Sequence, residues 1–362
     1  MQTIRAAVCH AFNEPLVIEE VRLAAPTRGQ VEVEIDAVAI CHSDISFQQG
    51  GFGGHLPAVY GHEAAGRVTA LGEGVRGIAI GDSVCVTLVR SCGDCPSCHS
   101  GHLTTCETRH DDTAGPLTTL GGDKMLQAMA CGAFAEKVVV DESQVVVIPH
   151  DVAKDVASLI SCGVITGVGA AVNAAGLRVG QDVVVIGAGG VGLNAIQGAR
   201  IAGARRIVAV DMLDEKLEIA KQFGATDVVS AKAAKPWADV KKLLGRGADA
   251  VLVTVGVAAV YDQAPRYLAN SGRVVMVGMP HGDQKSSFSP LLMADVGQGY
   301  VGSKMGNVVI KRDIPWMIDL YRQGRLKLDE LISGRWSLDQ INEAIADTLG
   351  GAAKRNVIVF DR

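Results

Sequence analysis

Residues 182–211 constrain the fold of this chain more than any other stretch. An apolar, β-branched run at 183–186 leads into the turn GAGGVG, which begins at Gly187 and opens a segment of small residues suited to a helix. A second apolar run follows and ends at Asp211. This order of strand, turn, helix and strand is typical of a parallel β-α-β unit, so we predict a doubly wound α/β sheet around it.

The glycines of the turn have separate physical roles. Gly187 permits the tight turn, Gly189 and its neighbour Gly190 let backbone N–H groups approach a pyrophosphate, and Gly192 allows the helix to lie close to the strand. Phosphates are stabilised at the positive N-terminus of a helix. The chain has 43 glycines, so the motif alone could arise by chance, but the strand and helix around it favour dinucleotide binding.

The acid at the end of the second strand indicates which dinucleotide is bound. A carboxylate at Asp211 can accept hydrogen bonds from both hydroxyls of a ribose. A 2′-phosphate would instead meet a like charge. The sequence therefore predicts NAD rather than NADP.

The length of the chain indicates two domains, because 362 residues exceed what one hydrophobic core usually supports. Up to about residue 160 the chain has short strands separated by Gly and Pro, including an alternating run at 30–40, whereas strands and helices alternate between 181 and about 303. We predict a mostly β domain of residues 1–163 and 304–362 and a dinucleotide-binding domain of residues 164–303 with six strands. Asp214 is predicted to cap the helix that should end at Gly224.

Composition and charge exclude several classes of function. The formal charge of −5 has interspersed signs and gives no nucleic-acid-binding surface. No apolar run reaches the ~18 residues that span a bilayer, and Asn13 and Glu14 interrupt the N-terminal segment where a signal peptide would stay apolar. We expect a cytoplasmic protein that acts on a small molecule, and its nine cysteines then call for metal binding rather than disulfides.

Four cysteines lie close together in the spacing C-x2-C-x2-C-x7-C, in a polar segment rich in Gly, Pro and Ser. Four thiolates can close around one tetrahedral zinc ion and leave no open position, so the site would be structural. An iron–sulfur cluster is the competing interpretation, but its spacing differs. His99 and His102 are interpreted as surface histidines rather than ligands. The predicted ligands are Cys92, Cys95, Cys98 and Cys106.

Cys41, His62 and Cys162 are candidate reactive residues far apart in sequence. Each alone has an ordinary explanation, since cysteine is often buried and a single histidine is usually a hydrogen-bonded side chain. Spacing cannot show that they converge.

Several segments in order resemble the zinc-dependent medium-chain alcohol dehydrogenases, in particular their class I and class III branch. They are CHSD at 41–44, GHEAAG at 61–66, the four-cysteine segment, CGVITG at 162–167, GAGGVG, the VD that ends at Asp211, and the C-terminal KRNVIVF. The resemblance implies a GroES-like catalytic domain joined to a Rossmann domain, NAD and two zinc ions per chain, reversible oxidation of a primary or secondary alcohol, and a homodimer or homotetramer.

The resemblance also assigns roles to residues. Cys41, His62 and Cys162 would bind a catalytic zinc with a fourth position left open, and Ser43 would contact the substrate oxygen and receive its proton. Further roles that it implies are Asp44 orienting a zinc ligand, Glu63 approaching the metal, Lys216 beside the adenosine ribose with Asp211, His42 and Arg355 at the pyrophosphate, and Thr166 and Val191 beside the nicotinamide.

The chain departs from that family at two positions. Ser46 stands where a relay histidine is expected, so ribose and water, or another group such as His42 or His55, would carry the proton out. Leu88 stands where an aromatic often lines the substrate pocket. A polyol or amino-alcohol dehydrogenase of the same fold, and a non-catalytic NAD-binding protein, stay open as alternatives.

Overall fold

A computed structural model describes residues 1–109 and 114–360 of the chain. The chain forms two compact units: unit 1 comprises Met1–Cys162, Val309–Arg322 and Leu328–Arg362, and unit 2 comprises Gly163–Val308 and Gln323–Lys327. The division after Cys162 lies one residue before the expected one after 163, and the division after Val308 lies five residues beyond the expected one after 303.

The N-terminal part of unit 1 is mostly β. Val31, Val33, Ile35 and Ala37, the residues that the alternating run places on one face, are fully buried. The strands are β1 (Gln2–Cys9), β2 (Val17–Leu23), β3 (Gln30–Ala39), β4 (Ala58–Val59), β5 (Glu63–Leu71), β6 (Ser83–Val86), β7 (Leu117–Thr118), β8 (Leu126–Gln127), β9 (Lys137–Asp141) and β10 (Val145–Val147), and the helices are α1 (His42–Gln48), α2 (Pro96–His99) and α3 (Lys154–Leu159).

Unit 2 is an α/β unit, as predicted. Its strands are β11 (Asp182–Ile186), β12 (Arg206–Asp211), β13 (Asp227–Ser230), β14 (Ala248–Val253), β15 (Leu268–Met276) and β16 (Gly299–Gly302), and its helices are α4 (Ile165–Gly169), α5 (Gly190–Ile201), α6 (Asp214–Phe223), α7 (Pro236–Leu244), α8 (Ala258–Gln263) and α9 (Pro290–Asp295). The six strands are parallel, in the order β13-β12-β11-β14-β15-β16. This doubly wound order reverses between β11 and β14, where such sheets bind ligands at the carboxyl ends of their strands.

The chain returns to unit 1 through α10 (Ile310–Arg322), α11 (Ile341–Leu349), β17 (Ile332–Trp336) and β18 (Arg355–Val359). One sheet of unit 1 has the order β7-β2-β1-β4-β8, and the other has the order β10-β6-β5-β3-β18-β17 with β9 also paired to β3. β18, the last of the described strands, therefore lies inside a sheet, next to β3.

One prediction about a helix terminus was wrong. Asp214 does not cap α6, because the helix begins at Asp214 itself and Leu213 is the residue before its first turn. The negative charge of Asp214 still favours the helix from within that turn. The other end is as expected: Gly224 follows α6 with a φ of +116°, a conformation that glycine adopts without strain.

The stretch Lys154–Ala174 is helical and contains two π-helical turns, Ile160–Val164 and Ala170–Ala174. Within the described part of the chain it is the one helical stretch long and apolar enough to cross a membrane, but 89% of its most apolar window is buried inside the structure. Such burial is typical of the core helix of a globular protein.

Candidate active site and metal centres

Two strands of unit 1 bring the first candidate ligands together. Ala39 at the end of β3 pairs with Glu63 at the start of β5, so Cys41 and His62, just beyond these ends, lie side by side. Cys162 arrives on the π-helical turn Ile160–Val164, whose Ser161 hydroxyl donates to the carbonyl of Ala64 over 2.8 Å. π-helical turns often occur at functional sites.

Cys41, His62, Glu63 and Cys162 form one buried cluster. A ligand atom from each lies within 4.8 Å of those of the other three. His62 Nε2 is 3.3 Å from the Sγ of Cys162. The structure thus brings together the three residues that sequence spacing alone could not connect.

Asp44 fixes the orientation of two of these groups. Its Oδ1 lies 2.9 Å from His62 Nδ1 and accepts the N–H of Gly61 over 2.9 Å, while its Oδ2 accepts the N–H of Cys41 over 3.2 Å. Burial would lower the pKa of His62, but the charge and hydrogen bond of Asp44 raise it well above its usual value. With a carboxylate on Nδ1, the ring directs Nε2 towards the sulfurs, which is the usual arrangement of a metal-binding histidine.

The sulfurs of Cys41 and Cys162 are hydrogen-bonded to each other. Cys162 hydrogen-bonds to Cys41, and this bond, together with the nearby charges of His62 and Arg355, holds the pKa of Cys41 well below that of a free thiol in spite of burial. The same bond and burial raise the pKa of Cys162. Of the two thiols, Cys41 is therefore the more readily deprotonated, and the thiolate is the form that binds metals.

Glu63 has a partner that the sequence did not reveal. Its Oε2 forms an ion pair with Arg355 of β18, whose side chain is 5% exposed. Its Oε1 is buried and has no hydrogen-bond partner. Burial raises the pKa of Glu63 to about 7 although Arg355 opposes the shift. The sequence gives little indication of this ion pair, because 292 residues separate Glu63 and Arg355.

The donor set of this cluster fits a zinc ion. Two sulfurs and an imidazole nitrogen are ligands that zinc prefers, and three protein ligands are what catalytic zinc sites use. The orphaned Oε1 of Glu63 is a further oxygen beside them. Ser43, in the first turn of α1, is half-buried, and His42 before it is exposed.

Cys92, Cys95, Cys98 and Cys106 form a second cluster in unit 1, with all four sulfurs within 4.8 Å of one another. Sγ–Sγ distances are 3.9 Å for Cys92–Cys98 and for Cys95–Cys106. Four sulfurs at tetrahedral positions ~2.3 Å from one zinc ion would be separated by ~3.8 Å.

Backbone N–H groups support this second cluster. Those of Asp94 and Cys95 donate to the sulfur of Cys92, and that of Glu107 donates to Cys95. A hydrogen bond with Thr108, followed by those from the backbone N–H groups of Asp94 and Cys95, lowers the pKa of Cys92 to about 6. The loop therefore favours the thiolate form of Cys92, whereas burial raises the pKa of Cys98 to about 12.

In unit 2 the glycine-rich turn has the predicted geometry. Gly187 has a φ of +98°, and a Cβ at Gly192 would lie 1.8 Å from the carbonyl oxygen of Gly187. A Cβ at Gly189 would meet nothing within 4 Å, so there is open space beside the backbone that precedes α5. A phosphate could approach there.

Asp211 lies against the same turn. Its Oδ2 accepts the N–H of Ala188 over 2.7 Å, and its Oδ1 accepts the N–H of Leu213 over 3.0 Å. The carboxylate is thus fixed at the end of β12, beside the turn. Of the other residues predicted around the cofactor, Val191 lies in the first turn of α5, Lys216 in α6, and Thr166 in α4, where its hydroxyl is 3.7 Å from the sulfur of Met305.

Comparison with known proteins matches both parts of the chain. The family model "Alcohol dehydrogenase GroES-like domain" matches residues 27–150, and the model "Zinc-binding dehydrogenase" matches residues 190–323. Alcohol dehydrogenase B of Mycobacterium tuberculosis is 33% identical over 98% of both chains. Geraniol dehydrogenase of Castellaniella defragrans is 34% identical, over 98% of this chain and 97% of that one. The crystal structure of benzyl alcohol dehydrogenase from Acinetobacter calcoaceticus covers 100% of both chains at 28% identity with a TM-score of 0.94.

Proposed function

The chain belongs to the zinc-dependent medium-chain alcohol dehydrogenase family and is an oxidoreductase that uses zinc and a nicotinamide cofactor, and we propose that it transfers a hydride from a primary or secondary alcohol to NAD, reversibly. The observation that carries this proposal is the buried cluster of Cys41, His62 and Cys162 with Asp44 on the far nitrogen of the imidazole.

Cys41, His62 and Cys162 would hold the catalytic zinc. When bound, zinc supplies Lewis acidity, which favours the deprotonated form of an alcohol near neutral pH. With Asp44 on Nδ1, His62 would offer its Nε2 to the metal. Ser43 is the group that receives the hydroxyl proton of the substrate. All four residues of the cluster are buried, and this low-dielectric environment strengthens the electrostatic interactions among them.

The second zinc ion would be structural. Cys92, Cys95, Cys98 and Cys106 supply four thiolates and leave no ligand position for substrate. Its contribution is to the stability of a loop with little apolar core, since metal binding to such a site adds directly to the free energy of folding.

The preference for NAD is supported by Asp211. Its carboxylate is held at the end of β12 by two backbone N–H groups, and each oxygen retains a lone pair for a ribose hydroxyl. A 2′-phosphate would be repelled by that charge. Lys216, His42, Arg355, Thr166 and Val191 stay predictions for the remaining cofactor contacts.

We also propose a homo-oligomer. β16 is an edge strand of the sheet in unit 2, and apolar side chains near it are exposed, with Leu291 77% and Leu292 66% accessible. Pairing with the same edge of a second copy would satisfy the backbone groups of β16 and cover these side chains. A dimer and a tetramer both fit this edge.

We propose a cytoplasmic location, where nine thiols would stay reduced.

The test of this function is NADH formation, followed by its absorbance, with short primary alcohols, aromatic alcohols and polyols. We expect turnover with NAD that a zinc chelator abolishes and added zinc restores. A marked preference for polyols would support the alternative polyol dehydrogenase. NAD binding with bound zinc and no turnover on any alcohol or aldehyde would contradict the proposal.

A further inference from the structure

Two buried amide side chains lie on α5, the helix that begins at the glycine-rich turn. Asn194 is 1% exposed and Gln197 is fully buried. The Nδ2 of Asn194 donates to the carbonyl of Gly190 over 2.8 Å, and the Nε2 of Gln197 donates to the Oδ1 of Asn194 over 3.2 Å. These two hydrogen bonds lead from the third turn of α5 back to its first residue.

A short segment from much later in the sequence holds Gln197. The segment Gln323–Lys327 belongs to unit 2, although the chain on both sides of it belongs to unit 1. The N–H of Lys327 donates to the Oε1 of Gln197 over 2.7 Å, and the Nε2 of Gln197 donates to the carbonyl of Lys327 over 3.0 Å. A backbone N–H can only donate and a carbonyl can only accept, so the amide of Gln197 has one permitted orientation.

The fixed amide of Gln197 in turn fixes Asn194. Because the Nε2 of Gln197 is a donor, the atom of Asn194 that faces it must be the oxygen, and the amide nitrogen of Asn194 is then directed at the carbonyl of Gly190. Four hydrogen bonds therefore connect Lys327 with Gly190. A buried polar network whose members are all hydrogen-bonded is rigid, because breaking any one bond leaves an unpaired polar group in a medium of low dielectric constant.

The last hydrogen bond of this network sets the direction of one peptide group in the glycine-rich turn. The peptide that joins Gly190 to Val191 is planar, so its N–H points away from its carbonyl along a fixed direction. The N–H of Val191 is among the first of α5, which lack a partner inside the helix and can donate to a phosphate. Gly190 has no side chain whose packing could restrain this peptide. Asn194 supplies the restraint.

Packing against α4 restrains the same part of α5. A Cβ at Gly167 would lie 2.4 Å from the carbonyl oxygen of Val191 and 2.6 Å from the Cβ of Asn194, so the backbone of α4 lies directly against the first turns of α5. Thr166, the residue predicted beside the nicotinamide, immediately precedes Gly167. The first turn of α5 is therefore held by packing through Gly167 and by hydrogen bonding through Asn194.

From this arrangement we propose that Asn194 and Gln197 are positioning residues for the cofactor, which orient the N–H of Val191 towards its pyrophosphate. The inference rests on the proposed binding of NAD at the glycine-rich turn. Both side chains act through a peptide group of that turn rather than by contact with the cofactor. Their loss should weaken recognition of the pyrophosphate and leave the adenosine contact predicted for Asp211, at the end of β12, in place.

The test compares ADP, which carries the pyrophosphate, with adenosine, which lacks it, as ligands of the zinc-loaded protein. Isothermal titration calorimetry gives both dissociation constants without any turnover. In the unaltered protein we expect ADP to bind at least about tenfold more tightly than adenosine, because hydrogen bonds to a charged group are strong. Gln197→Met keeps the length of the side chain but removes the amide, and it should reduce this ratio by about threefold to tenfold. The affinity for adenosine should not change.

Gln144→Met is the matched control. Gln144 is a buried glutamine of unit 1 whose Nε2 donates to the carbonyls of Thr87 and Ala130 over 2.9 and 3.0 Å. This variant should melt at a lower temperature, as Gln197→Met should, but it should keep the ratio of ADP to adenosine affinity. Lys327→Ala retains the backbone groups that bond to Gln197, so it should keep the ratio as well.

A Gln197→Met variant that keeps the parental ratio would overturn the inference, whether its two affinities are unchanged or fall together. If Gln197→Met does not fold, Asn194→Leu removes only the bonds to Gly190 and Gln197 and leaves the pairing of Gln197 with Lys327, and it too should reduce the ratio. An unaltered protein that binds neither ADP nor NADH would reject the proposed cofactor site itself, and the inference with it.

Discussion

Arg355 and Glu63 form an ion pair inside unit 1 although 292 residues separate them in sequence. Truncating one partner of a buried ion pair leaves an uncompensated charge and costs about 3–5 kcal/mol. We expect Arg355→Met to lower the free energy of unfolding of the zinc-loaded protein by about that amount, measured by urea titration. The double variant Glu63→Gln/Arg355→Met should recover much of the loss, because it buries no unpaired charge. A single variant as stable as the parent would contradict the pairing.

Cys162→Ala should remove one zinc ion per chain and abolish turnover, because the site would lose one of three protein ligands. Metal content by atomic emission and NAD binding by fluorescence check this, and the dissociation constant for NAD should change by less than about twofold, since Cys162 lies outside the glycine-rich turn. Cys85→Ala is the matched control: Cys85 is equally buried but hydrogen-bonds to the carbonyl of Ala157 and belongs to neither metal cluster. Retained activity in Cys162→Ala would exclude that cysteine from the catalytic site.

Cys98→Ala should act on stability rather than on the chemistry of the active site. Loss of one of four thiolates removes a metal whose binding adds to the free energy of folding, so we expect a loss of several kcal/mol and one fewer zinc ion per chain. Thermal melting and metal analysis measure both. Cys131→Ala, a buried cysteine outside the clusters, should keep its full zinc content. Unchanged melting and zinc content in Cys98→Ala would show that the lobe is not a structural metal site.

Asp211→Asn should weaken NAD binding by roughly tenfold to a hundredfold, the effect of losing a hydrogen bond to a charged group. It should also reduce the discrimination against NADP, because the repulsion of the 2′-phosphate disappears. The neutral amide still offers an oxygen to the N–H of Ala188, so the turn should be preserved. Asp214→Asn, which changes an exposed acid three residues further on, is the control. Equal ratios of NAD to NADP affinity in the two variants would contradict the ribose assignment.

Asp313 is expected to make unit 1 more sensitive to acid. Burial would raise its pKa, but hydrogen bonds from Arg312, Trp316 and the N–H of Val309 outweigh burial and hold the pKa below its usual value. A depressed pKa contributes stability that is present above the unfolded pKa of about 3.9 and is lost as the pH falls through the folded value. Asp313→Asn should therefore melt lower at pH 7, and its difference from the parent should shrink below about pH 4. A difference independent of pH would refute this.

The sequence predicts unit 2 better than it predicts the site, and the reason is the range of the interactions involved. β11, the turn at Gly187 and β12 follow from neighbouring residues, and the structure confirms the doubly wound sheet. The capping role expected of Asp214 was wrong by one residue, because the choice of the first helical residue depends on the path of the chain before it.

In unit 1, by contrast, the local sequence pattern does not predict which distant residues come together. Cys41, His62 and Cys162 meet because β3 pairs with β5 and because a π-helical turn carries Cys162 to them. No spacing encodes either event, and the resemblance to a family was needed to group the three residues. Arg355 shows the same limit: the resemblance suggested a pyrophosphate contact, which stays a prediction, whereas its pairing with Glu63 emerges only from the folded chain.

The division of unit 1 along the chain has a consequence for the protein during its synthesis. β18, which carries Arg355, is an inner strand of the sheet whose earliest strand is β3, and it pairs with β3 through Val357 and Ala39. Ribosomes add about 5–20 residues per second, so the strand is made roughly 10–40 s after Cys162. Throughout that interval Cys41 and Cys162 are already part of the nascent chain, while the guanidinium of Arg355, which balances the charge of Glu63, has not yet been synthesised. The cluster of Cys41, His62, Glu63 and Cys162 therefore reaches its final electrostatic surroundings only after Arg355 has been synthesised.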